Sequence, residues 1–196
     1  MAKEVARTAE VYSDPPVARV LFATTRFSWL WAIIRIWLGY QWIEAATHKI
    51  GVAAWTGGGA ALKGYWERAV AIPAPPARPA IAFDWYRSFL QYLLDAQAYT
   101  WFAKLVAYGE LIVGVALIVG AFVGVAAFFG AAMNWNFMMA GSASTNPLLF
   151  VVAMLLILAW KVAGHYGIDR VLLPLLGTPW KPGRAFNGRN GRAATA

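Results

Sequence analysis

Residues 102–140 read FAKLVAYGELIVGVALIVGAFVGVAAFFGAAMNWNFMMA, and these 39 positions carry two charges, Lys104 and Glu110. A helix that crosses the hydrocarbon core of a bilayer needs ~20 apolar residues. The stretch therefore holds two spans back to back, turning between Gly120 and Gly124. A fold that contains it must bury or lipid-solvate two long apolar helices, and the rest of the chain fits the same demand. The sequence is 60% hydrophobic and 13% charged, against about 25% charged residues in ordinary soluble domains.

The 196 residues suit one domain of a few spans. The chain has no cysteine, which excludes disulfides, thiolate metal sites, protein-ligated iron–sulfur clusters and thiol redox chemistry. The net charge of +8 reads as basic flanks on the cytoplasmic side of a membrane rather than as a nucleic-acid footprint.

Residues 1–26 are expected to form a polar cytoplasmic tail in which Pro15 and Pro16 break regular structure. The tail has no apolar core before Leu21, so it does not read as a cleavable signal. Spans are expected at about 27–46, 102–120, 122–140 and 147–163, with Thr145 or Asn146 capping the last and Pro147 in its first turn. The connection 47–101 is unusually long. It holds a Gly57-Gly58-Gly59 break, a short helix from Ala60 to Ala71, a proline-rich piece around Pro73 to Pro79, and an amphipathic helix over 83–101. In that helix Trp85, Phe89, Tyr92 or Leu93, and Ala96 share one face. Residues 177–196 read as a basic, flexible tail.

Four spans put both termini on one side. Ten Lys and Arg lie on the side of the two tails, four before the first span and six from Lys161 at the end of the last span onward, which places the tails in the cytoplasm of a prokaryotic plasma membrane. The expected fold is all-α: an integral membrane four-helix bundle, residues 27–176, with a long extracytoplasmic connection.

Charge at membrane depth is costly, ~2.5–3.5 kcal/mol on insertion scales. Arg35 and Glu110 both fall near the midplane by this topology, so they are expected to pair across the bundle. The pair either sets helix register or handles protons in a buried cavity. Asn134 and Asn136 point about 200° apart on their helix; one is expected to bond a neighbouring helix and the other to line a cavity. His48, Lys49 and Glu44 make a charged outer end for the first span, read either as a solvated helix end or, with Asn136 and Asn146, as an anion-binding patch. His48 and His165 fall on opposite sides, so they do not form a bis-histidine haem site. The glycine and alanine ladders Gly109, Gly114, Ala116, Gly120 and Gly124, Ala127, Ala131 allow close helix approach.

Taken in order, these motifs resemble the DoxX/DoxD family of small four-span membrane proteins. The resemblance lies in R-x-W-L-G-Y-x-W-I-E-A-x-x-H-K from Arg35 to Lys49, Gly109-Glu110 before a glycine-rich run, Met133-Asn134-Trp135-Asn136-Phe137 followed by Asn146-Pro147, and the closing Gly164-His165-Tyr166-Gly167-Ile168-Asp169. It implies a membrane subunit of a quinone-linked oxidoreductase that passes electrons from thiosulfate to membrane quinone, together with a second protein subunit. On that reading Glu110 and Arg35 are catalytic, and Asn134 and Trp135 line the quinone cavity. His48, Lys49, Asn136 and Asn146 bind the anion, and no metal or haem is involved. The alternative is a non-catalytic subunit or scaffold of a larger redox complex.

Overall fold

The computed structural model describes residues 13–178 and 181–186. The protein is helical almost throughout. Helix α1 (Pro16–Ala23) leads through a single 3₁₀ turn into α2 (Ser28–Thr47). The connection then carries α3 (Ala53–Thr56), α4 (Ala60–Val70) and α5 (Asp84–Asp95). Next come α6 (Tyr99–Val119), α7 (Val123–Met139), α8 (Asn146–Leu158), α9 (Trp160–Ala163) and α10 (Asp169–Leu176). A two-residue antiparallel pairing, β1 (Gly177–Thr178) with β2 (Lys181–Pro182), closes the described chain.

Helices α2, α6, α7 and α8 form the bundle. The crossing of α2 with α6 is the tightest, and glycine makes it so. A Cβ added at Gly39 would lie 2.8 Å from the Gly114 carbonyl oxygen, and one at Gly114 would lie 2.8 Å from that of Gly39. The two backbones therefore touch, and that contact sets the register of the two helices. Gly120 ends α6 in the left-handed region at φ +69°, where a side chain is strained, and α7 begins three residues later. The turn thus falls where the apolar stretch was expected to break.

A second apolar cluster lies at the end of the bundle that holds Lys49. Leu62, Trp66, Ile81, Tyr86 and Leu90 pack there with Ala98, Ala103 and Ala140. The long connection therefore folds onto the bundle as a cap. Its amphipathic helix is shorter than expected, because Gln97 takes φ 52° and divides α5 from α6. Tyr86 and Leu90 turn inward, while Trp85, Phe89 and Tyr92 are exposed.

Three expectations at the ends are corrected. Pro16 does not stop the chain from coiling; it starts α1 at the first helical position, where a missing N–H costs nothing. The α1 segment then docks back, with the Trp31 indole N–H donating to the Leu21 carbonyl at 2.8 Å. Residues 177, 178, 181 and 182 are ordered into the short β pairing and not a loose tail. The expectations for residues 1–12 and 187–196 lie outside the described residues. The last apolar segment is broken at Ala159 into α8 and α9.

Among the described residues one helix, α6, is by itself long and apolar enough to cross a membrane. The bent pair formed by α1 and the segment Thr25–Thr47 passes the same test together, with 61° between its halves. The outward faces of the bundle are apolar as well. Ile33, Ile112, Val125, Phe128, Val151 and Leu158 are all exposed.

Candidate functional site

Register decides which charges meet. Gly39 faces Gly114, and the two helices run antiparallel, so Arg35 lies level with Leu117 and Ile118. Glu110 lies level with Ile43, about 12 Å further along at 1.5 Å per residue. The expected Arg35–Glu110 pair therefore does not form. Each residue is buried, at 2% and 1% exposure, and each has found other partners.

Arg35 is held in a socket of carbonyl oxygens. Its Nε donates to Ala163 at 3.1 Å and its Nη2 to Tyr166 at 2.8 Å. Its Nη1 donates to Leu117 at 2.5 Å and Ile118 at 2.6 Å, the orphan carbonyls at the C-terminus of α6. Gly120 lies directly against the guanidinium, where a Cβ would approach its central carbon to 2.7 Å. Beside it the Asp169 carboxylate accepts from the backbone N–H groups of Phe122 (2.6 Å) and Val123 (2.9 Å), at the N-terminus of α7. Burial pushes the Asp169 carboxyl above its ordinary range, against the pull of those two donors and of Arg35. The Asp169 role was not read from the sequence. Its signal was present: an acidic residue in a glycine-flanked turn, with an apolar helix start elsewhere that needed capping.

Glu110 pairs instead with Lys49. The lysine sits just past the end of α2 and reaches back down the bundle, with Nζ 2.7 Å from Oε2 and 3.0 Å from Oε1. A third donation goes to the Ala45 carbonyl at 3.1 Å. The stem of the lysine spans the distance that register denied to Arg35.

This pair lies on a chamber of about 590 Å³ between α2, α4, α6, α7 and the 142–146 turn. Asn134 also lines it. Its side chain is fully buried, and neither its Nδ2 nor its Oδ1 has a partner among the described residues. The Trp42 indole N–H is orphaned as well, but it is turned to Gly130, which does not line the chamber. Gly130 lies one helical turn from Asn134. Buried polar atoms are nearly always hydrogen-bonded, so the two orphans of Asn134 on the chamber wall mark a place suited to meet something. Glu44, His48, Arg68 and Asn146 line the chamber too. Asn146 is not a free ligand, because its Nδ2 donates to the Ser142 carbonyl at 2.9 Å. The α8 cap position belongs to Thr145, which makes no side-chain cap bond.

A second cavity of about 520 Å³ runs as an apolar groove between α6 and α7, roofed by α4 and α5. Ile112, Val113, Val125, Ala126, Phe129 and Met133 line its length. Its polar groups are Tyr65, Tyr86 and Asn136. The Tyr86 hydroxyl lies 3.0 Å from the Asn136 carbonyl oxygen and 3.1 Å from its Oδ1. Burial, with Tyr65 nearby, pushes the Tyr86 hydroxyl up to about 12, so it stays protonated and donates. Burial also raises Tyr65, whose hydroxyl reaches the Phe137 carbonyl at 3.4 Å. The two asparagines thus do divide, but the other way about from the site reading. Asn136, expected with the anion, is in the groove, and Asn134, expected with the quinone, is in the polar chamber. Trp135 lines neither cavity; it stacks on Trp85 at the surface, centroids 6.4 Å apart. Groove and chamber share Leu62, Tyr65 and Phe137 as a common wall.

His48 and His165 stand at opposite ends of the bundle, one by Lys49 and one by the Arg35 socket. Among the described residues no three His, Asp or Glu side chains are grouped as metal ligands. Comparison of the chain with family models, with curated proteins and with solved structures finds no match.

Proposed function

We propose that the protein is a four-span membrane oxidoreductase subunit with two back-to-back sites, one for a small polar reductant and one for a membrane quinone. The observation that carries the reading is the shared wall. A polar chamber and an apolar groove of similar volume share Leu62, Tyr65 and Phe137 as lining residues. Electrons passing between the two sites would cross at that shared wall. The groove suits a quinone, since it offers an apolar slot, an exposed flank at Ile112, Val125 and Phe129, and hydrogen-bonding groups at one end. Tyr86 and Tyr65 would turn their hydroxyl protons from Asn136 and the Phe137 carbonyl to the quinone oxygens.

In this reading α2, α6, α7 and the α8–α9 pair cross the plasma membrane of a prokaryote, and lipid covers the apolar outer faces. The basic termini lie in the cytoplasm, and the Lys49 end with its cap lies outside. The chamber then opens away from the cytoplasm. Thiosulfate is the reductant that the motif resemblance suggests. Two thiosulfates join through a new S–S bond and release two electrons; the quinone takes these with two protons and becomes the quinol. A second subunit would deliver the reductant or take up the product at the exposed Trp85, Phe89, Tyr92 face.

The test uses the full chain, purified in lipid nanodiscs with a short-chain quinone. Quinone binding should quench tryptophan fluorescence, and Phe129→Trp, which fills the groove, should weaken it. Thiosulfate should then drive quinone reduction, measured as loss of quinone absorbance. A preparation that neither binds quinone nor changes with the groove variant would overturn the reading.

A further inference from the structure

The polar chamber presents more than a passive slot. Lys49 is the partner that faces it: its side chain is 17% exposed, whereas that of Glu110 is 1% exposed. Asn134 Nδ2 and Oδ1 stand on its wall without partners. With the Lys49 ammonium and the Arg68 guanidinium, the lining is rich in donors and suits a ligand with several acceptor oxygens. A small oxyanion is such a ligand, but Glu110 stands in its way. An anion bound beside an intact Lys49–Glu110 pair would face a carboxylate across a few ångströms in a poorly solvated site.

We propose that Lys49 is exchanged between two partners: a small oxyanion seated on the Asn134 amide takes the ammonium from Glu110, and Glu110 takes up one proton as it is released. The proton is required by burial. A sealed carboxylate stripped of its cation is strongly disfavoured, and such a group neutralises rather than remain charged. Binding is then anion plus proton, the proton offsets one of the two charges that thiosulfate or sulfate brings, and no electron moves. The inference rests on the two-site reading above and specifies the ligand class and the gate of its polar site.

The charged and titratable groups around the chamber are few. Helix α2 and its end contribute Glu44, His48 and Lys49, α4 contributes Tyr65 and Arg68, and α6 contributes Glu110. The lining from α7, the 142–146 turn and α8 is uncharged. Glu110 is therefore the only carboxyl paired with Lys49 among the described residues, and Glu44 and His48 are the other acid–base side chains on the lining.

Calorimetric titration of the full chain in micelles with sodium thiosulfate, and separately with sodium sulfate, tests the exchange. Repeating each titration in buffers of different ionisation enthalpy counts protons. The expected result is uptake of one proton per anion and an affinity that falls about tenfold per pH unit over the range in which Glu110 is ionised in the free protein and protonated in the complex. The slope should survive His48→Gln and Glu44→Gln and vanish in Glu110→Gln, and Lys49→Met should lose binding. Should those variants fail to fold, the proton count on the unaltered protein decides alone. Binding with no proton uptake and no pH dependence overturns the exchange. If thiosulfate also drives quinone reduction under those conditions, the two-site function stands without it. If neither anion binds while quinone still quenches fluorescence, the oxyanion assignment falls and the groove is untouched.

Discussion

Two buried ionic centres sit about 12 Å apart along the same helix pair, and they are built on opposite plans. At one end Arg35 makes four donations to carbonyls, and Asp169 caps the first N–H groups of α7. Among the described residues neither side chain has an orphaned nitrogen or oxygen there, and Gly120 and Gly167 close the backbone tightly around it. At the other end Lys49 and Glu110 hold each other beside a cavity, with the two orphaned atoms of Asn134 on its wall. Both centres pay to bury charge. The first spends its hydrogen bonds on joining α6, α7, α9 and α10, and so acts as a clasp. The second leaves capacity unspent, which makes sense only where a ligand completes it. Burial of a charge therefore does not mark a functional residue by itself; the state of its partners does.

Substitution can break that contrast. Arg35→Met should have the largest effect, since four carbonyl groups lose their donor and Asp169 loses its cation. The expected loss is about 3–5 kcal/mol of stability, read as a collapse in the yield of monodisperse protein or in its thermal midpoint. Lysine should not restore it, because a point charge cannot reach four acceptors in a fixed fork. Asp169→Asn should cost about 2 kcal/mol by exchanging one accepting oxygen for a donor against the α7 N–H groups, measured as a lowered thermal midpoint without loss of the folded state. Tyr86→Phe should cost about 1 kcal/mol. Subtracting its alkaline absorbance titration from that of the parent should isolate one phenol ionising near pH 12 rather than 10. Asn134→Leu should be the least disruptive of all, at no more than about 1 kcal/mol in either direction, because it removes two buried polar atoms that nothing satisfies. Its thermal midpoint should stay near that of the parent while oxyanion binding disappears. A large destabilisation by Asn134→Leu would mean that the chamber, too, is structural.

Much of this was legible in residue order alone. The helix hairpin with its turn at Gly120, the capping connection, the buried Arg35 and Glu110 and the separation of the two histidines all follow from spacing and composition. The amphipathic helix was legible in existence but not in orientation. Its Trp85–Phe89–Tyr92 stripe is as apolar as the Tyr86–Leu90 stripe, and periodicity cannot say which one meets protein. The Asn134 and Asn136 pair was legible as two opposed directions, but which one enters the polar chamber depends on how α7 is rotated in the bundle.

What the sequence determined by itself is that the chain folds as helices around an apolar interior, and that its few charges at depth must find partners. Which partners they find was decided by tertiary structure. The contact of Gly39 with Gly114 fixes the register of α2 on α6, and register places Arg35 beside the end of α6 rather than beside Glu110. Lys49, outside the helix, has a side chain long enough to return to Glu110. A sequence states that two opposite charges are present; only the height at which two helices touch tells whether they meet.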